Sequence, residues 1–195
     1  MANPDIKYGF EFYKNLYGDG PAQTIECEAL AAYGTALFEG DAVIMATTGS
    51  DVIGRGAVTQ AAASNSVIYG VIASISQVDG TLNTHAGAKS TRRRIQVIPA
   101  LPGYLFTCNA SSGVNPTDIG AMFDLVVGTG DTATGRSAME LNDTTATTGA
   151  TLTLMGFVDR RDNAFTGAGS STDTVGVDCI VNFHETKWAQ GATLG

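Results

Sequence analysis

Val175, Val177, Cys179, Val181 and Phe183 recur at every second position, while Asp178, Asn182 and His184 fall between them. A two-residue period sustained this long fits extended chain, because successive side chains of a strand point to opposite faces. The segment therefore predicts a strand with one buried and one polar side. The other apolar runs are short and bounded by Gly, Thr, Asn or Asp. Residues 24–30 alternate Ile25, Cys27 and Ala29 against Glu26 and Glu28, and residues 42–46, 95–98, 104–108, 119–127 and 152–158 each read as a strand. Residues 67–75 (VIYGVIASI) are apolar on both faces, which predicts a strand covered from two sides. Residues 57–63 read equally as a helical turn or a loop, 80–89 as a loop, and the polar stretch 142–150 as too hydrophilic for a core. About eight short strands without an amphipathic helix predict an all-β fold, a compact β-barrel, β-tulip-like or sandwich domain.

The 195-residue length fits one domain. We expect an aromatic-rich arm over residues 1–21, a β-rich core over 22–188 and a short tail over 189–195. A formal charge of −8 argues against a nucleic-acid groove and an anionic membrane surface as partners. The exception is the run Arg92, Arg93, Arg94, read as an exposed loop-to-strand edge or a contact for an acidic partner or nucleic acid. Cys27, Cys108 and Cys179 are odd in number and far apart in sequence, so they read as small buried hydrophobes in a reducing compartment rather than a disulfide framework or zinc site. No apolar leader opens the chain and no run reaches the ~20 apolar residues of a membrane span, so a soluble protein made in a cytoplasm is expected.

One motif points to catalysis. Gly130 to Ser137 spells G-x-x-x-x-G-R-S, close to the phosphate-cradling loop G-x-x-x-x-G-K-[ST]. That loop needs a helix after it, whose first amides complete the anion site. Here Asn142, Asp143, Thr144 and Thr145 follow almost at once, and Arg136 replaces the compact lysine ammonium with a planar fork. A Gly-bounded turn is the better reading. Segments such as GAMFDL, GRSAMEL and GFVDRRD faintly resemble motifs of trimeric dUTPases, but the first two lie too close together to form separate walls of such a site. His85 has no evident orienting partner, and His184 has only Asp178 within reach on its strand face. Asp159, Asp162 and Asn163 have calcium-ligand chemistry, but Arg160 and Arg161 stand between them. We expect no enzyme, no cofactor and no metal.

Tyr8, Phe10, Phe12, Tyr13 and Tyr17 place a third of the chain's aromatic residues within ten positions. Two readings stand: a first strand packed on its own domain, or an arm docked on another subunit, where aromatic anchors are favoured. On the second, deleting residues 1–20 would leave a folded core. Trp188, just beyond the last strand, and the three arginines complete the candidate interface.

The succession GDAVIM, IYGVIASI, RIQVIPALPG, DIGAMFDLVVGTGDTATGRSAMEL, LMGFVDRRDN and VDCIVNFHE, over residues 40–186, resembles the decoration (cement) proteins of tailed-bacteriophage heads. The resemblance implies a β-barrel or β-tulip core that forms homo-oligomers, often trimers, and binds the major capsid protein on the outer surface of the virion. It implies no direct contact with nucleic acid or membrane. A receptor- or glycan-binding virion module, motivated by the Thr/Asn/Gly loops, is the alternative, and a small nucleotide hydrolase a weaker one.

Overall fold

The computed structural model describes residues 7–29, 34–50, 54–63, 67–76, 92–146, 150–159, 163, 176–184 and 186–188. The strands are β1 (Glu11–Asn15), β2 (Ile25–Ala29), β3 (Ala42–Ser50), β4 (Gly56–Gln60), β5 (Gly70–Ile75), β6 (Arg93–Pro99), β7 (Tyr104–Asn109), β8 (Met122–Val126), β9 (Glu140–Thr145), β10 (Leu152–Phe157) and β11 (Asp178–Phe183). Among the described residues the one helical element is the 3-10 turn Pro116–Asp118, so no helix is long and apolar enough to cross a membrane. The chain is all-β, as its patterning predicts. It builds a closed five-stranded barrel, β2-β4-β3-β5-β6, and a six-stranded sheet, β1-β7-β11-β10-β8-β9. β6 closes the barrel by pairing back on β2 from Ile25↔Val97 to Ala29↔Arg93.

Strand alternation explains how the two parts join. Along β3, β5 and β6 consecutive residues enter different cores: Val43, Ile72 and Val97 fill the barrel with Cys27, Leu37, Val58 and Ile95. Their neighbours Ala42, Val71 and Ile98 point the other way, onto Phe106, Phe123, Leu125, Leu152, Leu154 and Val181 of the sheet. The barrel wall is thus the floor of the second core, which is why residues 67–75 are apolar on both faces. Val177, Cys179, Val181 and Phe183 all face the sheet core, as the period of that segment predicts; Val175 lies outside the described residues.

Three readings need correction. Within 57–63 the chain is neither helical turn nor loop at its start: β4 pairs with β3 from Val43↔Gln60 to Met45↔Val58 and runs parallel to β2 at Cys27↔Gly56. Ala57 within it and Ala61 just after it are both buried. The polar stretch after Leu141 begins as β9, pairing with β8 at Leu125↔Leu141 and Phe123↔Thr145. An edge strand needs few apolar residues, and Asp143, Thr144 and Thr145 are exposed while Leu141 carries the packing. Asp178 does not sit on a solvated face but is buried. The loop expected at 80–89, with His85, and the tail 189–195 lie outside the described residues.

Candidate interaction surface

The N-terminal aromatics divide between core and surface. Phe10 is buried, its ring 5.2 Å from that of Phe183. Phe12 packs edge-on against Tyr104 at 5.1 Å and Phe106 at 6.1 Å. The Tyr8 hydroxyl donates to Asp178 Oδ1 at 2.8 Å, and Asn109 Nδ2 donates to the same oxygen at 2.9 Å. β1 pairs antiparallel with β7 through Phe12↔Phe106 and Asn15↔Tyr104, so this segment is the edge strand of its own sheet. Two glycines let it cross the turn before β3: Gly9 (φ 74°) and Gly40 (φ 89°) stack so closely that a Cβ on Gly40 would lie 2.6 Å from the Tyr8 carbonyl. The Phe10 amide donates to Gly40 O at 2.9 Å across that crossing.

Beyond Phe12 the side chains turn outward. Tyr13 faces away from Phe12 by strand alternation, and the register shift between Phe12 and Lys14 leaves Lys14 exposed as well. Tyr13 is 49% exposed, Leu16 53% and Tyr17 80%. The Leu16 amide donates a hydrogen bond to Gly103 O at 2.9 Å, and the Tyr17 ring lies across Gly103. Three large apolar side chains within five positions at an open sheet edge form the surface feature. Leu16 was not singled out by sequence; its place directly after an aromatic run on a strand was the available signal.

The three arginines do not form a basic patch. Arg93 begins β6 and alternation turns it inward, where it is 6% exposed and donates to Ser76 O at 3.3 Å. Arg92 and Arg94 point outward, and across the β2/β6 ladder they meet Glu28 and Glu26; Arg92 is ion-paired with Glu28, and Arg94 approaches Glu26 at 4.0 Å. Arg55 is also ion-paired with Glu26. Trp188 is 38% exposed but committed: its indole N–H donates to Tyr69 O at 2.7 Å and its ring lies 5.1 Å from that of Tyr69. Together with the hydrogen bond that the Lys187 amide donates to Ile68 O at 2.9 Å, this clasps the segment after β11 to the barrel.

The phosphate-loop spelling has a structural explanation. Asp131 caps its own turn, with Oδ1 accepting from the Ala133 amide at 2.8 Å and Oδ2 from the Thr134 hydroxyl at 2.9 Å, bonds that hold its carboxyl below the usual range. The Asp131 amide donates to Arg136 O, the Gly135 amide to Asp131 O and the Ser137 amide to Glu39 O. The amides of Asp131, Ala133, Gly135 and Ser137 are thus engaged within the chain rather than turned to a phosphate. Gly130 is required because the Phe38 ring occupies the space of a side chain there. The segment straps the sheet to the turn before β3, and Arg136 is ion-paired with Glu11.

Beneath that strap lies Asp41, 1% exposed. Its Oδ2 accepts from the Phe38 amide at 3.0 Å and from Gln60 Nε2 at 3.2 Å. Burial pushes its carboxyl up to about 6, against the smaller lowering effects of the Ser137 hydroxyl, the Phe38 amide and Gln60. Asn163 serves as a peptide mimic rather than a calcium ligand: it donates to Val158 O at 2.7 Å and Asp178 O at 3.0 Å and accepts from the Asp178 amide at 2.9 Å. Asp162 lies outside the described residues. His184 is exposed, and Asp178 Oδ1 instead accepts from Tyr8 and Asn109. No group of three His, Cys, Asp or Glu side chains placed to hold a metal occurs among the described residues. Comparison with protein-family models, curated proteins and solved structures finds no match for this chain.

Proposed function

We propose that this chain is a structural subunit that decorates and stabilises the outer surface of a bacteriophage capsid by binding the major capsid protein, as a homo-oligomer of which a trimer is one form. The observation that carries the reading is the exposed cluster Tyr13, Leu16 and Tyr17, on the edge strand and in the turn just after it, in a chain whose other charged and aromatic candidates are engaged internally. Tyrosine anchors at an edge give contact area at low side-chain entropy and leave hydroxyls for a polar rim. Many weak copies of such a contact on one shell add up by avidity, without any single tight site. The sequence resemblance over residues 40–186 supplies the identity of the partner.

The test is sedimentation of purified protein with expanded capsids that lack it. Co-sedimentation and a raised capsid melting temperature are expected, both lost in the Tyr13→Ala/Tyr17→Ala double variant while its own folding is retained. Failure of the unaltered protein to co-sediment would overturn the reading.

A further inference from the structure

Cys108 and Cys179, distant in sequence, stand directly opposite each other in the antiparallel β7/β11 ladder. The register is unbroken on both sides, from Asp178↔Asn109 through Cys179↔Cys108 to Val181↔Phe106. Directly opposed residues put their side chains on the same face with Cα atoms about 4.5–5.5 Å apart. A disulfide spans Cα separations of about 4.4–6.8 Å. Both residues belong to the sheet core, whereas Cys27 lies in the barrel core. The odd count of three cysteines is therefore a facing pair plus one.

All three are free thiols here, and the pair has no exposed surface. Cys179 Sγ donates to Val177 O at 3.6 Å. We propose that Cys108 and Cys179 are a latent cross-strand disulfide site, closed by exchange with a low-molecular-weight disulfide while the β7/β11 ladder is open and kept as two thiols once it is shut.

The exchange balances as two displacements. One cysteine thiolate attacks a sulfur of the small disulfide, forming a mixed disulfide and releasing one small thiolate. The second cysteine thiolate then attacks the protein sulfur of that mixed disulfide, forming the bond between Cys108 and Cys179 and releasing the second small thiolate. The two cysteine protons end on the two released thiols, so the protein is oxidised and the small disulfide reduced. In the folded sheet the first step has neither approach nor nucleophile. No path for the oxidant reaches the sulfurs, and burial pushes Cys179 up to about 12 and Cys108 well above its ordinary value, with the neighbouring Cys179 adding to the latter. The redox history of folding is then recorded in the sheet, independently of the function proposed above.

The test compares native protein and denatured protein refolding by dilution, each with glutathione disulfide for the same time, followed by denaturation, alkylation and non-reducing peptide mapping. The refolded soluble fraction should carry a peptide joining Cys108 to Cys179, with Cys27 alone alkylated. The native sample should keep all three thiols alkylatable. Cys27→Ala should retain both results, and Cys179→Ala should remove the cross-link. If Cys179→Ala does not fold, the contrast between native and refolding Cys27→Ala protein still decides. Cross-links through Cys27 at comparable yield, unresolved glutathione adducts, or native protein that closes as fast as refolding protein would each overturn the proposal.

Discussion

Asp41 is a carboxylate whose chemistry the surrounding packing changes. Its carboxyl, raised from 3.8 to about 6, binds a proton more tightly in the folded than in the unfolded chain. Its contribution to stability is therefore fully present below 3.8 and lost as pH rises through about 6, the reverse of the usual ion-paired carboxylate. The span between those values corresponds to roughly 3 kcal/mol as an upper bound. We expect Asp41→Asn to flatten the fall in melting temperature across this window relative to the unaltered protein, measured by thermal unfolding at a pH series. A second expectation separates the aromatics of β1. Phe10→Ala should cost about 3–5 kcal/mol, because it empties a site among Phe183 and its neighbours. Tyr17→Ala should change stability by no more than about 0.5 kcal/mol, and chemical denaturation of the two variants checks both. Alternation in the sequence already sets Tyr13 apart from Phe10 and Phe12, whereas Tyr17, past the end of β1, is placed by its packing on Gly103.

Among the elements, β11 was the most legible and β9 and β4 the least. β11 carries its own evidence, since its apolar face is complete within the strand. β9 borrows its stability from β8, and β4 from the two strands beside it, so local composition says little about either. β1 is an intermediate case. Its aromatics announced an extended segment, but its role as an edge strand follows from Phe106 and Tyr104 of β7. Deleting residues 1–20 would uncover those rings, so we expect a destabilised or insoluble product, where a detached arm would leave the core intact; expression and circular dichroism of the truncated chain check this. At the other end, Trp188→Phe removes the indole bond to Tyr69 O while keeping most of the ring. A loss of about 0.5–1.5 kcal/mol is expected from the missing hydrogen bond, read by the same denaturation assay.

At the scale of the whole molecule, the barrel and the sheet share a wall, because β3, β5 and β6 serve two cores with alternate residues. Neither part can open without exposing apolar surface of the other, so a single calorimetric transition with matching calorimetric and van't Hoff enthalpies is expected. Two separated transitions would show the parts to be independent. The phosphate-loop spelling also resolves at this scale: Gly130 to Ser137 holds a turn, as its sequence predicts, but its work of tying sheet to barrel depends on Glu39 and Phe38, far away in sequence. What the sequence alone determined is the all-β class and the inward face of the strongest strand, since two-residue periodicity is a local property of extended chain. The tertiary structure alone decided the pairing of Arg92 and Arg94 with the glutamates of β2, the burial of Asp178 beneath Tyr8, the meeting of Cys108 with Cys179, and the exposure of Leu16 and Tyr17. Each depends on register between segments distant along the chain, and register is fixed by how whole faces pack rather than by the residues of either segment.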